Sequence, residues 1–250
     1  MIYENKILPR LTTSVQGDST DIMLKIAGLE MISYGTDTVL EGKLLEECKK
    51  IIKHYMQSSD LLQFLSSAAY HDAYTLKYKL NPPITTSKMD CEYILNCLAH
   101  IGYLSDFSYS ALSTSFWIEL NRKSNHTIIE ILNIGICGLI NQECDIKLNV
   151  ELRSQKENIW SDILVASDNK LTLINIELAA GLETNISSHI SQLEKLKTKI
   201  IKAKKRTNNY LADYIVITPT VFKHLPKALQ QMDCIMTIEN IESKINELVI

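Results

Sequence analysis

Residues 162–179 constrain this chain more than any other stretch. Asp162-Ile-Leu-Val-Ala leads into a short polar turn, Ser167-Asp-Asn-Lys, and then into Leu171-Thr-Leu-Ile-Asn-Ile-Glu177-Leu-Ala179. Two apolar strands joined by a tight turn are ordinary. A carboxylate inside the first and another near the end of the second are not. An ionised carboxylate on a buried strand is costly unless a cation meets it. Side chains two apart on a strand share a face, so Glu177 and position 179 point the same way, along with Leu173 and Asn175. The turn between paired strands brings Asp162 and Glu177 toward one end of the sheet. Two such carboxylates suit Mg2+, which takes one or two carboxylates and completes its shell with waters and phosphate oxygens. An ion held there would polarise a phosphate ester and lower the pKa of a bound water.

The rest of the chain supplies a frame for that pair. From Thr38 to Met56 the apolar positions Leu40, Leu44, Leu45, Cys48, Ile51, Ile52 and Tyr55 repeat at helical spacing. Asp60 is placed to cap a second helix through Leu61, Leu62, Phe64, Leu65 and Ala68. Pro82-Pro83 breaks the chain. Ser87, with Asp90 three residues on, resembles a capping box and opens a helix burying Ile94, Leu95, Leu98 and Ile101 up to Gly102. Two short strands follow, Phe107–Ser110 and Ser115–Leu120. Helices followed by a small hairpin fit a winged helix, with the Ser87 helix for recognition and 108–114 as the wing; a plain helical cap domain is the other reading.

The second half changes character. Thr127 to Ile140 reads as an apolar helix, and 147–152, 159–166 and 171–178 as strands. A long amphipathic helix is expected over 186–206, on the stripe Ile186, Ile190, Leu193, Leu196, Ile200, Ala203. Tyr214–Thr218 is apolar throughout, as a strand buried on both faces is, and a helix between two such strands implies a right-handed parallel crossover. Residues 234–237 would add an edge strand, followed by a last helix through Ile241, Ile245 and Leu248. The expected fold class is α/β: a mixed central sheet flanked by helices over 124–250, preceded by a mostly helical domain over 1–123.

Composition removes several classes. With 46% hydrophobic residues in 250 the chain carries enough apolar mass for a core, and general disorder is excluded. A net charge of −3 argues against bulk attraction to nucleic acid, although a local basic patch can still attract it. The six cysteines include no C-x-x-C pair and no zinc-finger spacing, so they read as reduced thiols of a cytoplasmic protein. No apolar run is long enough to span a bilayer, and the N-terminus has no secretory signal. Six histidines show no paired spacing, and eight glycines give no phosphate-cradling loop.

In this succession of elements, Asp162 followed by Glu177-Leu178-Ala179 resembles the PD-(D/E)XK (restriction endonuclease-like) nuclease superfamily, over about 127–220. The resemblance implies a restriction endonuclease-like core and Mg2+-dependent hydrolysis of a phosphodiester, with Mn2+ able to stand in. It implies metal binding by Asp162 and Glu177 and by the carbonyl of Leu178. Glu130 in the preceding helix would assist, with Glu119 its rival. The family's third catalytic residue is a lysine where this chain has Ala179. Three explanations stand: a decayed fold that only binds, a cation supplied by Lys195 or Lys199, or an alanine substituted so as to hold an uncut substrate.

Lys195, Lys197, Lys199, Lys202, Lys204, Lys205 and Arg206 make one end of the long helix basic. Such cations either suit the helix dipole or grip a phosphate backbone. Gln192 on the same helix stands where some superfamily members touch substrate phosphate. Lys88, with Lys77, Lys79 and Thr85–Ser87, precedes the recognition helix and could hold phosphates there. The expected substrate is DNA, with RNA as the alternative, and a restriction or defence role; cutting both strands would call for a homodimer. A non-catalytic nucleic-acid- or partner-binding protein on a degenerate nuclease fold is the competing reading.

Overall fold

A computed structural model of the chain describes residues 17–34, 42–71, 77–80, 86–111, 115–121, 123–124, 126–140, 144–153, 158–167, 170–176, 198, 212–218, 227–231, 233–238 and 241–249. In chain order these form α1 (Gly17–Ile26), β1 (Glu30–Ser33), α2 (Gly42–Lys53), α3 (Tyr55–His71), β2 (Lys77–Leu80), α4 (Lys88–His100), β3 (Leu104–Ser110) and β4 (Ser115–Leu120). Then come α5 (Ile128–Cys137), β5 (Asp145–Arg153), β6 (Asn158–Ser167), β7 (Lys170–Ile176), β8 (Ala212–Thr218), α6 (Lys227–Gln230), β9 (Ile235–Thr237) and α7 (Ile241–Val249). They gather into two compact units, 1–39 with 139–250, and 40–138. These boundaries lie elsewhere than the division after residue 123 expected from sequence. Two elements account for the difference. β1 pairs antiparallel with β5 and so joins the later sheet, while α5 clusters with the helices before it.

The first unit is a mixed α/β structure around the sheet order β1-β5-β6-β7-β8-β9. β5, β6 and β7 run antiparallel in turn, β7 and β8 are parallel, and β9 adds parallel to β8 at the edge. β8 is thus an interior strand, as its unbroken apolar run requires, with Ile215, Val216 and Ile217 buried. The parallel β7–β8 pair needs a crossover connection. The amphipathic helix expected there lies outside the described residues, save Thr198, which is helical.

One face of the sheet carries an apolar cluster formed by Met23, Leu24 and Ala27 of α1 with strand residues including Val150, Leu152, Ile159, Leu164, Ala166, Leu171, Leu173 and Val216. Strand side chains alternate faces, yet Ile159 and Leu164 are both in this cluster, so β6 changes parity between them. β5 does the same. Lys147 is paired with Leu164 and therefore shares its face, while Val150 and Leu152 also belong to the cluster. Between them stands Asn149, whose φ of 50° is the one positive value at a non-glycine among the described residues. Each strand takes up one extra residue at the same level, which keeps the β5–β6 ladder in step on either side.

The second unit sets α2, α3, α4 and α5 with the antiparallel sheet β2-β4-β3. Ser87 caps α4 by accepting from the Asp90 amide, and the helix ends at Gly102, whose φ of 74° only glycine adopts without cost. α3 is kinked at Ser58, whose hydroxyl donates back to the His54 carbonyl at 2.7 Å. Asp60 does not open a helix as the sequence suggested: it lies inside α3, two residues past the kink. It accepts from the Leu61 amide, and also from the Thr86 amide at 3.1 Å and the Thr86 hydroxyl, tying the start of α4 to α3.

α5 and α2 meet at close range because Gly135 has no side chain. A Cβ there would lie 2.5 Å from the Cys48 carbonyl oxygen and 3.2 Å from the Ile52 Cβ. At Gly138 the added carbon would meet only side-chain atoms of Lys49 and Leu45. Nearby, Glu47 is buried on α2. Burial alone would raise its pKa, but the Lys50 ammonium at 2.9 Å and the Cys97 thiol outweigh burial and hold it below the usual carboxylate value. None of Cys48, Cys91, Cys97, Cys137, Cys144 and Cys234 is in a disulfide. Burial pushes Cys48 and Cys97 up to about 12, so neither is a ready nucleophile.

Gly135→Ala is expected to cost about 1–3 kcal/mol by forcing two helix backbones apart, and Gly138→Ala clearly less, both read from urea denaturation midpoints. Glu47 gives a pH-dependent outcome. Its lowered pKa stabilises the fold above the ordinary carboxyl value of 4.5, and that contribution is lost as pH falls through the folded-state value. The stability gap between the natural chain and Glu47→Gln should therefore be present at pH 7 and close toward pH 3; a constant gap would count against the ion pair as its origin.

Candidate functional site

Asp162 is half-buried on β6, at the level where both strands change parity. The regular β6–β7 ladder stops at Ile163 opposite Ile174. Beyond it, the Asp162 carboxylate itself takes the place of a backbone acceptor: its Oδ2 accepts from the Ile176 amide at 2.6 Å. A hydrogen bond to an ionised acceptor is worth about 1.5–3 kcal/mol, more than a neutral ladder bond. Ser161 reinforces the irregularity. Its buried hydroxyl lies 2.7 Å from the Ile163 carbonyl and 3.1 Å from the Ile174 carbonyl, one donor shared between two strands. Asp162 lies in the middle of β6 but at the end of its ladder with β7, and its carboxylate is tied to the residue before Glu177 in the chain.

Glu177, Leu178 and Ala179 lie outside the described residues, as do Gln192, Lys195, Lys199 and Lys202. Glu130 is described. It is the third residue of α5, and its carboxylate accepts from the Thr127 amide at 2.7 Å while its own amide donates to the Thr127 hydroxyl at 3.2 Å. This is a reciprocal capping box, a structural task that the sequence pattern Thr127-x-x-Glu130 already spells out. Glu130 also belongs to the 40–138 unit, whereas Asp162 belongs to the other. Glu119, on β4, falls in the 40–138 unit too, opposite Lys77 and Asp106 in the ladder.

Lys88 is the first residue of α4. Its ammonium lies 3.9 Å from the centre of the Tyr109 ring and 3.6 Å from Glu92. About half of the side chain remains exposed, so these ties orient it without removing it from solvent. Among the described residues no group of three or more His, Cys, Asp or Glu is placed to hold a metal. The donors available near Asp162 are oxygens, which suit a hard cation such as Mg2+ rather than a soft one.

Sequence reasoning missed Asn149 in this region and gave Asn175 no role beyond sharing a face with Glu177. Asn149 stands between the pairs Leu148–Ile163 and Val150–Ser161, and so is level with Asp162 on one side. Asn175 follows the Ile163–Ile174 pair and is level with it on the other. A polar row thus crosses three adjacent strands. The available signal was the pair of asparagines interrupting apolar runs, in Leu148-Asn-Val and Ile174-Asn-Ile.

Solved structures with the same fold include protein VC1899 from Vibrio cholerae, at 13% identity and a TM-score of 0.56, matched over 91% of this chain and 59% of that one. Another is Can2 from Sulfobacillus thermosulfidooxidans, in complex with cyclic tetra-adenylate, at 11% identity and a TM-score of 0.54, again over 91% of this chain and 59% of that one. The chain therefore spans 59% of the length of the structures it matches. No protein-family model matches it, and no curated protein does. No helix among the described residues is long and apolar enough to cross a membrane.

Asn149→Gly is expected to leave stability unchanged or raise it by up to about 1 kcal/mol, because glycine adopts φ near 50° freely. Asn149→Val should lower it by about 1–2 kcal/mol. Thermal unfolding of the two variants side by side checks the assignment of backbone strain to this position.

Proposed function

We propose that this chain is a divalent-metal-dependent nuclease of the PD-(D/E)XK kind with a defence role, acting on DNA. The observation that carries the reading is the Asp162 carboxylate drawn 2.6 Å from the Ile176 amide. The chain reaches Glu177 one residue later. In support stand the β5-β6-β7-β8 order, antiparallel twice and then parallel, and a fold shared with Can2, whose structure holds a cyclic oligonucleotide. Asp162 and Glu177 would hold Mg2+ or Mn2+, with the Leu178 carbonyl as a further oxygen. The ion would supply Lewis-acid activation of a phosphodiester and of a bound water. Glu130 is left to its helix cap. The basic residues Lys195, Lys199 and Lys202, with Gln192, would hold the phosphate backbone, and Lys88 a second stretch of it. The unit formed by 40–138 would recognise the nucleic acid.

Ala179 favours a second reading, a non-catalytic module that binds nucleic acid or a partner on this fold, since the superfamily's lysine is missing. One experiment separates the two. The natural chain, Ala179→Lys and Ala179→Lys/Asp162→Ala are incubated with plasmid DNA, single-stranded DNA and RNA, with Mg2+ or Mn2+. Cyclic tetra-adenylate is added in parallel as a candidate activator. Cleavage by Ala179→Lys that disappears in the double variant is the expected result. Absence of cleavage under every metal, with salt-dependent retardation of the nucleic acid retained, would replace the nuclease with the binding module.

A further inference from the structure

The Asn175 side chain is held at one end only. Its Nδ2 donates to the Trp160 carbonyl at 3.4 Å. That carbonyl can only accept, so the group facing it must be the nitrogen, and the oxygen must face the other way. Oδ1 is sealed from solvent and has no hydrogen-bond partner. A buried acceptor left in that state destabilises the fold unless something meets it. It does not stand at a random place. In the β6–β7 register Asn175 is level with Asp162, whose carboxylate reaches the very next amide on β7, that of Ile176. On the far side of Asp162 is Asn149, in its strained left-handed conformation. Other buried side-chain atoms without a partner, on Asn133 and Thr172, lie elsewhere, but Asn175 Oδ1 stands level with Asp162 in the same row as the Asn149 backbone outlier.

We infer that the Asn175 amide oxygen is a neutral ligand of the divalent-cation site at Asp162. The proposal rests on the metal-dependent reading given above and adds a residue to it. The chemistry is consistent. Mg2+ and Mn2+ accept neutral amide and carbonyl oxygens beside carboxylates, and a neutral ligand adds coordination without adding to the negative charge that Asp162 brings. The Trp160 carbonyl positions the amide, fixing which of its two ends faces the cation.

Mn2+ binding to the full chain, measured by calorimetry and by the shift in thermal unfolding, tests the assignment without any reference to cleavage. Asn175→Leu is expected to weaken Mn2+ by about tenfold or more. Asn175→Asp, which keeps the shape and adds a charge, is expected to bind Mn2+ more tightly, and to be less stable than the natural chain without metal and stabilised more by its addition. Asp162→Asn is the reference and should abolish binding. Equal Mn2+ affinity in the natural chain, Asn175→Leu and Asn175→Asp, with binding lost in Asp162→Asn, would overturn the role of Asn175 while leaving the cation site standing. Binding unaffected by Asp162→Asn, or no binding by the natural chain, would remove the cation site and this ligand with it. Should Asn175→Leu fail to fold, the comparison of Asn175→Asp with the natural chain decides alone.

Discussion

A carboxylate standing in for a backbone acceptor organises the first unit. Where β6 and β7 stop pairing regularly, the Ile176 amide would be left without an acceptor, and Asp162 supplies one. An apolar residue at 162 could not do this, because nothing on its side chain accepts a hydrogen bond. The same level of the sheet absorbs one extra residue in β5 and one in β6, so the side chains on either side return to the face they must occupy. The apolar cluster under α1 is therefore continuous from Leu152 and Ile159 to Leu164 and Ala166 despite the irregularity. The break is confined to a single row, and that row is polar.

The second unit is held by shorter-range devices. Its helices approach because one residue has no side chain, and they are registered by single carboxylates: Asp60 between α3 and the start of α4, Glu47 between α2 and α4. Both are buried enough that their partners matter. An isolated buried charge would cost several kcal/mol in desolvation, whereas a lysine and a thiol at hydrogen-bonding range turn Glu47 into a favourable contact. Both devices act within the 40–138 unit, Asp60 with Thr86 and Glu47 with Lys50 and Cys97. A fold assembled from such local rules and an apolar pattern tolerates wide divergence, which is consistent with a shared fold at 11–13% identity.

Much of this was legible in the order of residues. Ser87 with Asp90, Thr127 with Glu130, and Gly102 at a helix end are local signals whose partners lie within four residues. β8 was readable because a strand buried on both faces has no polar alternation. The α1–β1 pair was not, since β1 is four residues long and gains its place only by pairing with β5, more than a hundred residues away. The functional assignments divide in the same way. Glu130 was weighed as a metal-site residue, but its carboxylate serves its own helix start. Asn175 was read only as sharing a face with Glu177 and Asn149 not at all, and their significance comes from standing level with Asp162.

By itself, the sequence determined that this is an α/β chain with strands at β5 to β9, where the caps fall, and that Asp162 is an acid inside an apolar strand. Those features follow from periodicity and short-range chemistry, which act between residues close in the chain. Tertiary structure alone decided that β1 joins β5, in which unit α5 sits, and that Asn149, Asp162 and Asn175 form one row. The physical reason is that strand register and parity are properties of pairs. A bulge in one strand is silent until its partner shows which face each residue has been turned toward.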